Sequence, residues 1–151
     1  MGSASVAMRT EFLPMAEFTL MAGPSRRPRS SGERTLLLGC SILIVEDEPL
    51  IALDLHAAIH AAGAGIIAGT NAKEALRLIS RNEISAAVID VRLGNQDSLE
   101  VCQALFHHRV PFLFYTAHAD AGLLKAWPQA PVLLKPARNE EIVARIGDLV
   151  R

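Results

Sequence analysis

The stretch that most constrains the fold is residues 41–49, in which an apolar run passes directly into three acids. Residues 42–45 are all apolar, and Glu46, Asp47 and Glu48 follow at once. A short apolar run closed by polar residues predicts a strand buried on both faces, as in a parallel sheet. Carboxylates at the carboxyl end of such a strand lie where open α/β sheets bind ligands. Because crowded carboxylates resist ionising together unless a cation joins them, the stretch indicates a site for a hard divalent metal ion.

The composition limits the classes of protein to which the chain can belong. The 151 residues suffice for one domain, and a hydrophobic fraction of 50% can supply a sizeable core. The net charge of −1 and the lack of a basic stripe argue against direct binding of nucleic acid. Cys40 and Cys102 form no metal-binding or redox motif, which is typical of reduced thiols in a cytoplasmic protein. No apolar run approaches the length of a membrane span, so we expect no membrane partner.

Residues 1–35 differ from the rest of the chain. They contain a cluster rich in Pro, Gly, Ser and Arg at 23–32, and five arginines against three glutamates give them a charge of +2. This composition predicts a disordered leader before a folded domain over 36–151. A weak targeting segment, or a start site placed too far upstream, are the alternatives.

From residue 36 onward, strand and helix patterns alternate five times. The predicted strands cover 40–45, 65–69, 86–91, 111–115 and 132–134. The predicted helices cover 49–62, 98–107, 121–127 and 140–150. One further helix follows the second strand, with Asn71 as its N-cap and Glu74 as the reciprocal capping partner. Residues 94–97 are predicted to form a turn. In the second helix, Leu76, Ile79 and Ala75 are expected to face the core. Alternating strands and helices predict an α/β fold, a doubly wound five-stranded parallel sheet in the flavodoxin-like order 2-1-3-4-5 with helices on both faces.

Four predicted strands end in polar residues that a parallel sheet brings to one edge. These are Glu46 with Asp47, then Asp90, Thr116 and Lys135. Zinc would require His or Cys, whereas oxygen ligands alone suit Mg²⁺. With Asp90 as nucleophile, the set fits phosphoryl transfer through an aspartyl phosphate, in which the metal and the Lys135 ammonium neutralise phosphoryl oxygens and Thr116 donates a hydrogen bond to one.

These motifs resemble the receiver domains of bacterial two-component response regulators. The resemblance covers residues 36–151 and rests on four matches in order: Ile44-Val45-Glu46-Asp47-Glu48, Val88-Ile89-Asp90-Val91, Thr116 and Lys135-Pro136. Each match alone is only weakly specific for the receiver family. All four together, in order and at strand ends, are specific for it.

The resemblance implies particular roles. Asp90 would accept a phosphoryl group from a phosphohistidine on a sensor histidine kinase or a histidine phosphotransfer protein. Thr116 and Lys135 would bind the phosphoryl group and act in the switch, and the peptide bond before Pro136 would be cis. The implied Mg²⁺ ligands are Glu46, Asp47, Asp90 and the backbone carbonyl of Arg92.

Two finer features of the resemblance concern signalling. The segment Phe114-Tyr115-Thr116-Ala117-His118 is similar to the Phe-Ala-Thr-Gly-Tyr signature of a receiver subgroup whose members are often single-domain, although three of five letters differ. Receivers usually carry an aromatic switch residue three positions before the lysine, and here that position is Val132. A ring that turns inward therefore cannot transmit the signal, and the side chain of Tyr115 should point away from that of Thr116.

We therefore expect a stand-alone receiver that is not an enzyme beyond its own phosphorylation and dephosphorylation. It would act on an unknown downstream protein by contact, or serve as a phosphate sink. One alternative is a phosphorylation-independent adaptor, which Val132 favours. Another is an Asp-nucleophile phosphohydrolase, which would need a second Asp where Arg92 stands.

Several other residues have ordinary structural explanations. His56 and His60 are spaced like a helical metal pair but lie off the apolar face, so we expect them to be solvated. Trp127 should pack the short fourth helix, and Cys102 should be a core thiol.

Overall fold

The computed structural model describes residues 36–119 and 122–151 of the chain. The predicted leader over residues 1–35 lies outside the described residues. Within these ranges the strands are Ser41–Val45 (β1), Gly65–Gly69 (β2), Ala86–Ile89 (β3), Arg92–Leu93 (β4), Gln96–Asp97 (β5), Phe112–Thr116 (β6) and Val132–Leu134 (β7). The helices in the same ranges are Pro49–Ala61 (α1), Ala72–Arg81 (α2), Leu99–His107 (α3), Gly122–Ala126 (α4) and Asn139–Val150 (α5). Among these helices, none has both the length and the apolar character needed to cross a bilayer.

Five parallel strands form the main sheet in the order β2-β1-β3-β6-β7. This confirms the predicted flavodoxin-like order, because β4 and β5 pair only with each other in a separate hairpin. The register pairs Val45 with Ile89 and Ile89 with Phe114. The carboxyl ends of β1, β3 and β6 therefore lie side by side at one edge of the sheet.

The sheet forms because its central strands can be buried on both faces. Residues 42–45 of β1 are all at most 1% exposed, and every residue of β3 is buried. Alternation along β1 sends Ile42 and Ile44 into the core beneath α1 and α5, and Leu43 and Val45 into the core beneath α2 and α3. The two cores hold the strand ends, and hence the site, between layers of helices.

The first helix begins and ends as its sequence predicts. Pro49 occupies the first turn, where its missing N–H costs no hydrogen bond. Leu55, Ala58 and Ile59 are buried against the sheet. Gly63 has a φ of 94° just after the helix, a conformation that favours glycine.

The start of α2 departs in detail from the expected reciprocal cap. The Asn71 side chain accepts a hydrogen bond from the Glu74 N–H at 2.8 Å, as predicted. The Glu74 carboxylate, however, accepts from the N–H and hydroxyl of Thr70, each at 3.0 Å, and not from the N–H of Asn71. Leu76, expected to face the core, is only half-buried, and Leu78 is buried instead at 4% exposed.

The segment after β3 differs most from the prediction. β3 ends at Ile89 and not at residue 91. The predicted turn over residues 94–97 is part of an antiparallel hairpin, in which Arg92 pairs with Asp97 and Leu93 with Gln96. Two-residue strands are too short to show any alternation, so the sequence could not reveal them.

Candidate functional site

The three acids predicted to bind metal come together at the carboxyl edge of the sheet. Glu46 and Asp47 follow β1, Asp90 follows β3, and the two strands are neighbours. A carboxylate oxygen from each acid lies within 4.8 Å of the others. Glu46 and Asp90 are buried, whereas Asp47 is exposed. The site thus has two fixed, desolvated acids and one acid open to solvent.

Backbone hydrogen bonds continue past the strand ends and fix both buried acids. The N–H of Glu46 donates to the carbonyl of Gly69, and the N–H of Asp90 donates to the carbonyl of Val45, each at 3.1 Å. The N–H of Glu48 also donates to Glu46 Oε1 at 3.1 Å. The backbone that carries these carboxylates is therefore held as firmly as the sheet itself.

Lys135 joins the two buried acids. Its Nζ donates to Glu46 Oε2 at 2.6 Å and to Asp90 Oδ2 at 2.8 Å. The N–H of Lys135 donates to the carbonyl of Thr116 at 3.0 Å, which extends the β6–β7 pairing by one residue. The Lys135–Pro136 peptide bond is cis. The ammonium thus pairs with two of the three carboxylates, so the cluster keeps a negative charge that a divalent cation can neutralise.

Burial and pairing shift the ionisation of this cluster. Burial raises the pKa of Glu46 above its usual value, and the hydrogen bonds from Lys135 and the Glu48 N–H offset this only in part. Burial acts to lower the pKa of Lys135, but its contacts with Asp90 and Glu46 outweigh that effect and raise it. Lys135 therefore carries its charge at neutral pH, as a half-buried cation with two acidic partners can.

The β4–β5 hairpin contributes backbone donors to the acids. The N–H of Gly94 donates to Asp47 Oδ2 at 2.8 Å. The N–H of Arg92 lies 3.4 Å from Asp90 Oδ1, a long contact. Arg92, whose carbonyl the resemblance assigns to the metal, therefore lies on the hairpin that borders the cluster. The contact of Gly94 with Asp47 joins residues 47 positions apart, and no sequence pattern predicts it.

Thr116 is the last residue of β6, with no exposed surface. Its Oγ1 accepts a hydrogen bond from the His118 N–H at 3.1 Å. This bond uses the oxygen as acceptor and leaves the hydroxyl hydrogen for a second bond, which is the donor role expected of Thr116 toward a phosphoryl group.

Tyr115 points to the opposite face of β6, as alternation predicted, and packs in the core beneath α1 and α5. Its hydroxyl accepts from the Ala137 N–H at 3.2 Å, and its ring centroid lies 5.6 Å from Lys135 Nζ. Tyr115 therefore supports the loop that carries Lys135. No sequence pattern indicates this role, although Tyr115 pairs in register with Leu133, two residues before the lysine.

The donor set fits Mg²⁺. It consists of carboxylate oxygens on fixed backbone, with one exposed member, and includes no imidazole or thiolate. Mg²⁺ prefers oxygen ligands and retains several waters, which the exposed side of Asp47 can accommodate. Glu46, Asp47, Asp90 and the carbonyl of Arg92 are the groups that would hold it.

Two residues set aside in the sequence behave as ordinary structural groups. Cys102 is fully buried, and burial raises the pKa of its thiol to about 12. Trp127 packs against Phe106 and Phe112, with ring centroids 5.6 and 5.5 Å away. The expectation for Cys102 and Trp127 is therefore confirmed.

The two histidines of α1 are less solvated than expected. His56 and His60 are both half-buried. Burial, followed by the proximity of His60, lowers the pKa of His56. Neither histidine belongs to a metal-binding group of three among the described residues.

The fold and the acid–lysine cluster define a class of flavodoxin-like α/β domains with an acidic site at the carboxyl edge of the sheet. Comparison with known proteins identifies the family. The family model described as the response regulator receiver domain matches residues 42–147. The chain therefore belongs to the response regulator receiver domain family, as the sequence motifs indicated.

Individual relatives agree with this assignment. The response regulator MprA of a Mycobacterium species is 32% identical over 115 residues, which are 73% of this chain and 50% of MprA. The phyllosphere-induced regulator PhyR of Methylorubrum extorquens is 31% identical over 115 residues, 73% of this chain and 43% of PhyR. The chain spans about half the length of the curated relatives it matches.

A solved structure supports the fold and has a metal in its own site. The receiver domain of a sensor histidine kinase from Pseudomonas aeruginosa superposes with a TM-score of 0.66 at 25% identity, covering 74% of this chain and 98% of that domain. That structure has a magnesium ion coordinated in its active-site cleft.

Proposed function

We propose that this chain is the phosphoacceptor of a two-component system or phosphorelay. Asp90 takes a phosphoryl group from a phosphohistidine on a sensor histidine kinase or a histidine phosphotransfer protein. The observation that carries the proposal is the contact of Lys135 Nζ with both Glu46 and Asp90, beside the exposed carboxylate of Asp47. This arrangement gives a buried nucleophile and, on each side of it, a place for positive charge.

The chemistry follows from the positions of these groups. An Asp90 carboxylate oxygen attacks phosphorus, the bond from phosphorus to the histidine nitrogen breaks, and its electron pair returns to the imidazole. Lys135 contacts Asp90 Oδ2 at 2.8 Å before the transfer. Its ammonium then pairs with the phosphoryl oxygens, which carry the negative charge after the transfer. Thr116 donates its hydroxyl hydrogen to another oxygen. Mg²⁺, when bound, neutralises charge on the phosphoryl group and the surrounding acids.

We further propose that the chain acts as a signalling component and not on an external substrate. Its reactions would be its own phosphorylation and dephosphorylation, and its output would pass to a downstream protein by contact or end in a phosphate sink. The unpaired thiols of Cys40 and Cys102 suit a reducing, cytoplasmic compartment. Phe114 and Thr116 match the Phe-Ala-Thr-Gly-Tyr signature, and this match supports membership of that receiver subgroup.

A phosphorylation-independent adaptor is the alternative, and Val132 favours it. This side chain is 41% exposed on β7 and is no aromatic switch. The intact set of acids, threonine and lysine favours phosphoryl transfer instead.

Radiolabel transfer from a phosphorylated histidine partner decides between the two. We expect label that is stable to acid and labile to base on the wild type, dependent on Mg²⁺ and absent from Asp90→Asn. Asp54→Asn is the matched control, since Asp54 is exposed on α1 outside the cluster. Undiminished label on Asp90→Asn would overturn the assignment of Asp90. No label on any variant would favour the adaptor.

A further inference from the structure

The exposed metal-site acid, Asp47, is held in the cluster by the hairpin that follows Asp90. Glu46 and Asp90 are fixed by burial and by Lys135, but Asp47 is open to solvent. The N–H of Gly94 holds the Asp47 carboxylate through Oδ2 at 2.8 Å. An exposed side chain that must be ordered on binding weakens binding, and ordering it in advance avoids that loss.

The geometry of the turn makes this donor available. Leu93 pairs with Gln96, so Gly94 and Asn95 form a two-residue hairpin loop. Gly94 has a φ of 66°, whereas the φ of Asn95 is negative. Glycine with positive φ at the first loop position is typical of a type II′ turn. In such a loop the first residue's N–H has no partner within the hairpin, so it is free to donate to Asp47.

Both ends of the hairpin are anchored, so the donor has a defined position. Leu93, just before the loop, is 5% exposed and packs in the core with Val91. At the other end, Asp97 Oδ1 accepts from the Leu99 N–H at 3.0 Å, at the start of α3. The position of the Gly94 N–H is therefore set by the core and by α3.

We propose that Gly94 is a positioning residue for the metal site: its N–H orders Asp47 for Mg²⁺, so the conformation of the β4–β5 hairpin sets the affinity for the ion. The bond from Gly94 occupies Oδ2, so the second oxygen of the Asp47 carboxylate is the one we assign to the metal. This inference rests on the proposed function, because it assumes that the acid cluster binds Mg²⁺.

The test replaces Gly94 and a matched glycine. Gly94→Ala places a Cβ in open space, but at a φ of 66° the alanine is strained, so the turn relaxes and moves the N–H. Gly39→Ala is the control, since Gly39 has a φ of 79°, also faces open space, and lies before β1 at the opposite end from the site. The two substitutions carry the same kind of backbone strain, and only one contacts Asp47.

Calorimetric titration with MgCl₂ measures the result. We expect Gly94→Ala to raise the Kd for Mg²⁺ about 3- to 10-fold, the scale expected for leaving one side chain unordered. Gly39→Ala should leave the Kd unchanged. Phosphorylation of Gly94→Ala by phosphoramidate should need more Mg²⁺ for half-maximal rate but reach the wild-type rate at saturation. An equal Kd in Gly94→Ala and wild type, or a lowered rate at saturating Mg²⁺, would overturn the role of Gly94.

A second measurement keeps the inference testable if Gly94→Ala does not fold. In the wild-type protein without metal, the Gly94 amide should be protected from hydrogen exchange, and Asp47→Ala should remove that protection, whereas Asp90→Asn should not. An unprotected Gly94 amide in the wild type would refute the link. If the wild type itself shows no heat of binding with MgCl₂, the proposed function fails first, and the amide measurement still reports on the hydrogen bond.

Discussion

Lys135 and Glu46 are 89 residues apart in the sequence, yet Lys135 Nζ lies 2.6 Å from Glu46 Oε2. The same ammonium contacts Asp90 Oδ2, so a single cation compensates both buried acids. A divalent metal bound beside Asp47 would compensate the same acids. Lys135 and the metal therefore both neutralise the buried carboxylates. Removal of one should make the stability of the fold depend more on the other.

Replacing Lys135 with methionine should make the fold depend on Mg²⁺. We expect Lys135→Met to lose about 2–3 kcal/mol of unfolding free energy without metal, because a buried carboxylate loses its partner, although Glu46 can take up a proton in part compensation. Added MgCl₂ should raise the Tm of Lys135→Met more than that of the wild type. Lys125→Met, at an exposed position on α4, is the control and should behave as the wild type. Equal Mg²⁺-induced shifts in Tm for all three proteins would contradict the shared role.

The two thiols should differ sharply in reactivity. Cys102 is fully buried, and burial raises its pKa to about 12, so at pH 8 roughly one thiol in ten thousand is ionised. Cys40 is partly exposed. A chromogenic disulfide reagent should modify one thiol rapidly in the native protein and the second only at the rate of unfolding. Cys40→Ser should abolish the rapid phase, and two rapid equivalents in the wild type would show that Cys102 is accessible.

The depressed pKa of His56 should make stability depend on pH. Burial and the nearby His60 lower this pKa in the folded state, so the unfolded chain binds more protons as the pH falls past 6.5. The stability conferred by neutral His56 is present above the unfolded pKa and is lost as the pH falls toward the folded one. We therefore expect the Tm to fall between pH 7.5 and 5.5, and His56→Gln to flatten that decline. His108→Gln, at the exposed end of α3, is the control and should retain the wild-type slope.

The response to phosphorylation should lie in the segment after Thr116 and in α4. This helix has five residues, of which Leu123 and Leu124 are partly buried against the core and none is fully buried, so limited packing holds it in place. Drawing the Thr116 hydroxyl toward a phosphoryl oxygen can therefore change the order of the segment. Beryllofluoride on Asp90, which stands in for the phosphoryl group, should shift amide signals of residues 117–119 and 122–127 most strongly outside the cleft.

The identity of residue 132 should matter little to that response. Val132 is β-branched and 41% exposed, so it cannot report hydroxyl movement by ring rotation. Val132→Tyr should leave the pattern of shifts nearly unchanged. Shifts that spread through α1 and leave α4 untouched would refute this account of the switch.

The sequence predicted the sheet because its strands are unusually easy to recognise. β1 and β3 are short apolar runs ending in acids, and such runs locate both the strands and the edge at which their acids meet. The predicted acids meet within 4.8 Å, and Lys135 joins two of them, because parallel strands must bring their carboxyl ends to one edge. The roles of Asp90, Thr116 and Lys135 in phosphoryl transfer remain predictions.

The parts that the sequence did not predict depend on contacts too short or too specific for a pattern. The hairpin at Arg92–Leu93 and Gln96–Asp97 has no measurable periodicity. The hydrogen bond between Gly94 and Asp47 depends on the sign of a single backbone dihedral angle. The Glu74 carboxylate accepts from Thr70 and not from Asn71 because of which N–H lies within its reach. Helix propensity does not determine which N–H that is.

The last strand of the sheet has a consequence for the behaviour of the protein at high concentration. Within the described part of the chain, β7 is an edge strand of three residues, with Val132 and Leu134 exposed. An open apolar edge of this kind can recruit a strand from another molecule. Pro131 and Pro136 flank it, and proline has no N–H to donate to a new ladder. Another chain could thus add only a very short ladder at this edge, which limits edge-to-edge self-association while leaving the apolar side chains exposed.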